Sequence, residues 1–394
     1  MRPALALLIL APLFLAGCPK AVPLGELELE NLALTAVSGT RYCLSAPPQI
    51  VINVTSADGK NFRTPRRGEG HGNRLRFQDF LVETSHGSVT PDGVIIIDDP
   101  IPLLFEELVV RVRPVGPTGP GTRIPEWVKG ELRLTPRFDC RSELNFDGQT
   151  GAPGIGGAWG EHGRDGEEGG DEKNCTAAQN GRSGQNGGDG QNGGDGRDGA
   201  DLRVDVAVAY IKRRHRVLVL RASGPDITVP RYVFLDPNLI ENVIVSAQGG
   251  NGGPGGDGGR AGNGGNGGDS KCNSAAAGNG GDGADGGDGG SGGRGGNGGR
   301  IDLHVPLGHT EVVEWFTLRN AAGYGGAPGR AGSGGNGGSA GTGPMGSAFP
   351  GKDGRYGSDA TAGNGGRDGP AVNISFSDAN TLFAQEVSRG LQLR

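Results

Sequence analysis

Glycine recurs at every third position through six separate stretches of this chain, and a backbone that keeps such a phase cannot fold as an ordinary helix or strand. It holds 148, 151, 154, 157, 160, 163, 166 and 169 without a miss, then every third residue of 181–199. One complete phase runs through 249–269 (250 to 268), 278–300 (280 to 298) and 323–343 (323 to 341), and the phase in 351–369 is broken only at Ala360. An α-helix repeats at 3.6 residues and a strand at 2. A repeat of three belongs to polyproline II, a left-handed helix that rises about 3.1 Å per residue and makes no hydrogen bonds within itself. Its N–H and C=O groups all point outward and need partners in other segments or in water.

The run 249–269 carries a second glycine phase interrupted only by Ala261, so its remaining side chains form one column: Asn251, Pro254, Asp257, Arg260, Asn263, Asn266 and Asp269. In 278–300 the column is Asn279, Asp282, Asp285, Asp288, Ser291, Arg294, Asn297 and Arg300. A helix with two bare faces can approach neighbours on both and turn the third to solvent. A flexible glycine linker has no use for a fixed phase. A collagen triple helix keeps the phase but wants proline in the other positions and three chains, whereas here proline is scarce and the runs double back. The sequence therefore predicts six polyglycine II helices, each roughly 60 Å long, in a two-layer bundle within one chain, with a monomer favoured over a collagen-like trimer. Asn, Asp, Arg and Ser should form a solvated outer surface, with at most weak cation binding along Asp282, Asp285 and Asp288.

The runs come as out-and-back pairs through glycine-poor tips at 171–180 ("DEKNCTAAQN"), 270–277 ("SKCNSAAA") and 344–350 ("PMGSAFP"). Strand-like segments lie between them at about 201–247, 301–320 and 371–378, which makes a threefold internal repeat over 147–394. Residues 24–146 read differently. Alternating β-branched runs such as "QIVINVTSADG" and "LVVRVRP" are divided by Gly, Pro and Asp turns, which predicts an all-β sandwich with almost no α-helix in the chain. Cys43 and Cys140 lie near its first and last strands, and Cys175 and Cys272 occupy equivalent tips, so the expected disulfides are Cys43–Cys140 and Cys175–Cys272.

The start of the chain has a positive residue, Arg2, an apolar stretch over 4–15 and small residues before Cys18, the layout of a signal peptide over 1–17. Leu15-Ala16-Gly17-Cys18 resembles the bacterial lipobox, which implies acylation (palmitate among the chains) of Cys18, a short tether over 18–23 and attachment to a membrane. Pro19 in place of Asp points to the outer membrane. With the lipobox, "LNFDGQTGAPG" and "YVFLDPNLIENVIVSAQGGNGGPGGDGG", nearly the whole chain resembles collagen-like, glycine-rich lipoproteins of myxobacterial type. The glycine runs alone resemble the polyglycine II sandwich of phage tail-tip adhesins and of small glycine-rich antifreeze proteins. The adhesin resemblance implies binding at the tips, through Lys173, Asn174, Thr176, Lys271, Asn273, Met345 and Phe349.

No catalytic arrangement stands out. Gly289-Gly290-Ser291-Gly292-Gly293 fits GxSxG but has neither the preceding strand nor the following helix. The GxGxxG matches sit inside period-three runs, and the six histidines lack metal-ligand spacing. With 44 acidic and 38 basic residues spread along the chain and a net charge of -6, nucleic acid is not an expected partner. "IKRRHR" at 211–216 reads as a solvated basic turn, and Trp159 is expected to pack against the β domain. The expectation is a non-enzymatic surface lipoprotein without a cofactor, binding a glycan, cell-surface or envelope partner. The alternative is an envelope or matrix protein acting by self-association.

Overall fold

The computed structural model describes residues 21–69, 74–115, 129–140, 143–170, 175–211, 215–346 and 348–393. The signal segment, Cys18, Lys173 and Asn174 lie outside the described residues. Regular structure is almost entirely β-strand, with helix confined to short 3-10 turns and to α1 (Ala379–Leu382) and α2 (Ala384–Ser388).

The first unit contains β1 (Leu29–Ala36), β2 (Arg41–Cys43), β3 (Ile50–Ser56), β4 (Asn61–Arg63), β5 (Phe80–Thr84), β6 (Ser88–Val89), β7 (Ile95–Ile96), β8 (Leu108–Pro114) and β9 (Gly130–Arg137). Strands β1, β3 and β4 form one sheet, β2, β9, β8 and β5 a second, and β6 and β7 a two-stranded ribbon. Alternation decides which side is covered. In β8, Leu108, Val110 and Val112 point inward while Arg111 and Arg113 point out, and the inward set shares a core with Leu32 and Leu34 of β1 and Ile52 and Val54 of β3. The Cys43–Cys140 disulfide joins β2 to the end of this unit.

The second unit begins earlier than 147. Strand β10 (Glu143–Asn145) pairs in parallel with β14 (Val243–Ser246), which pairs in parallel with β16 (Phe316–Arg319). Facing them is a sheet of β11 (Leu202–Ile211), β12 (His215–Ser223), β13 (Arg231–Leu235), β15 (Ile301–Pro306) and β17 (Asn373–Ser377), in the order β13-β12-β11-β15-β17. The two sheets enclose one apolar core, including Leu144, Val204, Val206, Val243, Val245, Ile301 and Leu303. Strand β11 is buried on both sides. Val204, Val206 and Val208 face that core, whereas Ala207, Ala209 and Ile211 face another built with Ile101 and Leu104 of the first unit and Leu382, Phe383 and Leu391 of the C-terminal segment.

Each glycine run continues a strand of this base. Runs 1 (148–169), 3 (249–269) and 5 (323–343) leave β10, β14 and β16; runs 2 (181–199), 4 (278–300) and 6 (351–369) lead into β11, β15 and β17. Runs 1, 3 and 5 are parallel: Gly148 N–H donates to the Gln248 carbonyl, Gly151 to Asn251 and so on to Gly169 and Asp269, and run 3 repeats this on run 5 from Gly249–Ala321 to Gly267–Ser339. Runs 2, 4 and 6 make a second parallel layer, from Gly181–Asn279 to Gly199–Asn297 and from Gly280–Phe349 to Gly298–Arg367. Antiparallel bonds tie the layers, as in Gly188 N–H to Ala158, Gly259 to Gly188, Gly287 to Gly259, Gly332 to Gly287 and Gly357 to Gly332. Runs 3 and 4 thus bond to four other runs, runs 2 and 5 to three, and runs 1 and 6 to two. The base sets the register, because β10↔β14, β14↔β16, β11↔β15 and β15↔β17 are all parallel pairs of the same strands that enter or leave the runs.

Glycine content follows those neighbours. Edge run 1 has one regular glycine phase and inner runs 3 and 4 have two. A Cβ on Gly253 would sit 2.1 Å from the Ala152 oxygen, and one on Gly290 2.0 Å from the Gln191 oxygen. Ala360 supplies a natural comparison. Gly357 and Gly363 donate to Gly332 and Gly326 at 3.0 and 2.9 Å, but Ala360 between them makes no such bond among the described residues.

The C-terminal segment is clasped by ions. The Arg221 guanidinium binds Asp205 at 2.7 Å, Glu386 at 2.9 Å and the Leu382 carbonyl at 2.6 Å, Tyr232 donates to Glu386, and Arg389 reaches Asp99 at 3.2 Å. Burial pushes the Glu386 carboxyl up, but the Tyr232 hydroxyl and Arg221 outweigh it and hold it below the usual carboxylate range.

Two outcomes are expected. Gly290→Ala or Gly253→Ala should destabilise the protein by about 3 kcal/mol, whereas Gly156→Ala, whose Cβ would meet nothing nearer than the Asp257 oxygen at 3.4 Å, should be neutral in urea unfolding. Because the carboxyl of Glu386 titrates lower folded than unfolded, its contribution is complete above the ordinary carboxylate range and disappears as pH falls through the folded value. Glu386→Gln should cost about 2 kcal/mol at pH 7, and its melting temperature should fall less steeply than wild type between pH 5 and about 3.

Candidate functional site

The outer columns of the glycine array are not simply solvated, as composition suggests. Within each layer, an Asn or Asp of one run accepts a hydrogen bond from the backbone N–H of the corresponding column residue in the next run. In the second layer Asn186 accepts from Asp285, Asp189 from Asp288, Asp195 from Arg294 and Asp198 from Asn297, all through Oδ1. Run 4 passes the pattern on, with Asp282 accepting from Lys352, Asp285 from Arg355 and Asp288 from Ser358 at 2.6–2.8 Å. The three aspartates considered for cation binding are therefore each spending one oxygen on the backbone. In the first layer Asn251, Asp257, Asn263, Asn266 and Asp269 cap Tyr324, Arg330, Asn336, Ser339 and Thr342. The N–H and hydroxyl of Thr342 hold the Asp269 carboxyl below its usual range.

Side-chain length explains the choice of Asn and Asp. The acceptor must reach one strand-spacing sideways, as in an Asx turn, and the longer Glu or Gln would overshoot. Where the column carries Ser183, Pro254 or Arg294, the following N–H is uncapped among the described residues. The terminal runs 5 and 6, which have no further neighbour in their layers, carry Tyr324, Ala327, Arg330, Ser333 and Lys352, Arg355, Ser358, Thr361 in those positions, with Asx kept only at Asn336 and Asn364. That switch from Asx to other residues was visible in the sequence, but only as polarity until the pairing was known.

The tips divide into two kinds. The Cys175–Cys272 disulfide staples the first tip to the second. Thr176 is committed there, since its carbonyl and Oγ1 accept from Gly170 N–H at 3.2 and 2.8 Å. Lys271 pairs with Glu168 at 2.7 Å, which raises the lysine above its ordinary value, and Asn273 is exposed beside it. The third tip has no cysteine. Phe349 is fixed through its backbone, donating to Asn279 Oδ1 and accepting from Gly280 N–H, both at 2.9 Å, while its ring is 79% exposed and Met345 is 64% exposed.

Trp159 does not pack on the β domain; it is 76% exposed on the outer face of run 1. Together with Tyr356 it borders a groove of about 310 Å³ across runs 1, 3 and 5, with His162, Arg260, Asn263 and Ser333 between them. The sequence does not group these residues, because they lie up to about two hundred positions apart. Residue Ile211 ends β11 and His215 opens β12, so "IKRRHR" spans the connection of an antiparallel hairpin, its centre outside the described residues. Among the described residues no group of three or more His, Cys, Asp or Glu could hold a metal, and no helix is long and apolar enough to cross a membrane.

No protein-family model matches the chain, and no curated protein matches it. One solved structure that is similar in part is the nine polyproline type II helical bundle springtail antifreeze protein from Granisotoma rainieri, with 20% identity over 55% of this chain and 94% of that one and a TM-score of 0.09. A score that low establishes no shared fold.

The relay makes its own prediction. Asp285→Ala, which uncaps the Arg355 N–H, should lower stability by about 1 kcal/mol, Asp285→Asn should restore it, and Arg294→Ala should have no effect in the same urea titration.

Proposed function

We propose that the six-run array is a polyglycine II bundle and that the chain is a non-enzymatic, lipid-anchored protein of the bacterial envelope, held at the outer membrane through Cys18 and displaying the bundle for adhesion or ligand binding. The observation that carries this reading is the contrast at the third tip: Phe349 and Met345 expose their side chains, and the Phe349 backbone is fixed by bonds to run 4. Exposed large apolar side chains on an ordered surface mark interaction sites, and pre-organised backbone lowers the ordering cost of binding. The stapled tips, with Thr176, Lys271 and Asn273, complete the same end of the bundle, and the expected contribution of Lys173 and Asn174 lies outside the described residues. The partner class is a glycan, another cell or an envelope component.

Self-association as a matrix protein is the competing reading, favoured by the edges at runs 1 and 6, each of which bonds to only two other runs. The readings separate by experiment. Met345→Ser with Phe349→Ser should lower binding to whole cells or envelope material at least fivefold with an unchanged melting temperature; unchanged binding together with concentration-dependent mass in light scattering would replace adhesion with assembly. Cys18→Ala should move the protein from the membrane fraction to the soluble fraction, and retention in the membrane would remove the anchor from this account.

A further inference from the structure

The groove between Trp159 and Tyr356 combines three features that the architecture of the bundle does not require. The first is the pair of aromatics, 76% and 77% exposed, on the outer side of run 1 and the outer edge of run 6. The second is a lapse in the Asx relay. Trp159 stands where an Asn or Asp would cap Arg260 N–H, and Arg260 stands where one would cap Ser333 N–H. Neither N–H has an acceptor among the described residues. One level along, the relay resumes, with His162 Nδ1 accepting from Asn263 N–H at 2.9 Å and Asn263 Oδ1 from Asn336 N–H at 2.9 Å. Accepting at Nδ1 leaves the other ring nitrogen of His162 to carry a proton toward the groove. The third is charge: Arg260 is the cation among the described residues lining the groove, its Nε bonded to Ser333 Oγ at 3.2 Å, and no carboxylate lines it among them, although the chain as a whole has a net charge of -6.

We infer that this groove binds a carboxylated sugar unit of an acidic polysaccharide. A pyranose ring has one face of C–H groups and an edge of hydroxyls. The flat faces of Trp159 and Tyr356 suit the former, since an aromatic face carries negative charge density that attracts polarised C–H groups. The free Arg260 and Ser333 N–H groups, the His162 ring N–H and the Asn263 amide suit the latter. A uronate carboxylate takes the remaining guanidinium donors of Arg260 in a charge-assisted pair. The groove is open along the runs, so a chain of sugars can pass across it while one unit sits in it. This rests on the display reading above but places the ligand on the broad face, away from the tips.

The test uses the full chain in detergent and isothermal titration with oligogalacturonate, oligomannuronate and hyaluronan fragments, each against its methyl ester. At least one acidic oligosaccharide should bind, and its ester at least tenfold more weakly. Trp159→Ala should lower affinity at least tenfold, and Arg260→Ala should erase the preference for the acid over the ester. Both side chains are on the surface, so the melting temperature should not move. Binding of no acidic fragment, or binding that survives both substitutions, overturns the inference. The Met345→Ser, Phe349→Ser protein separates the two proposals: it should keep its uronate affinity, whatever happens to its whole-cell binding.

Discussion

Everything beyond the β units depends on one accounting problem: the glycine runs form neither helix nor strand, so their N–H and C=O groups must find partners outside their own segment. The chain solves it by surrounding each run with others, so that glycine donors reach carbonyls in the adjacent parallel run and in the adjacent antiparallel run. Close approach of backbones is the condition for those bonds, and a bare Cα is the condition for close approach. The glycine phases are therefore a map of neighbours. Run 1, with two bonded neighbours, keeps one regular phase, and runs 3 and 4, with four, keep two.

Such an array buries little apolar surface, while ordering glycine carries the largest backbone entropy cost of any residue. The base offsets this. Its two sheets enclose Leu144, Val204, Val206, Val243, Val245, Ile301 and Leu303, and their parallel pairs align the runs that enter and leave them. A loop of 97 residues is closed by each disulfide, a constraint worth about 4 to 5 kcal/mol in the chain-entropy account, and the two bonds act at different places. One secures the first unit; the other secures the end of the array farthest from the base. At the C-terminus, Arg221 binds Asp205, Glu386 and the Leu382 carbonyl at once, so the covering segment over β11 is held by a satisfied ionic cluster rather than by packing alone.

The columns show how one residue position can serve structure on one run and be released on another. Asn and Asp of runs 2, 3 and 4 cap the next run's N–H groups. At runs 5 and 6 the corresponding column faces no further run in its layer and is mostly tyrosine, lysine, arginine and serine, while Asp353, Asp359 and Asp368 of run 6 accept from the N–H groups of Gly337 and Ala331 in run 5 and of Ala322 just before it. At Trp159 and Arg260 the release happens inside the layer, which leaves backbone donors open beside an aromatic ring. Departures from a strict structural rule are where surface chemistry becomes available.

The sequence by itself determined the period, the six runs, their tips and the strand-like segments between them, because a phase of glycine at every third residue and alternation in a strand are local patterns with local physical causes. It also restricted helix to almost nothing. The tertiary structure decided which run lies beside which: parallel contacts join residues about 70 to 100 positions apart, and no local preference encodes a partner at that distance. It showed that β10 belongs with β14 rather than with the first unit, that Asp282, Asp285 and Asp288 serve the backbone, and that Trp159 faces solvent beside Arg260 and Tyr356. Each of these is a property of neighbours across space, where a side chain's role depends on what the fold sets opposite it.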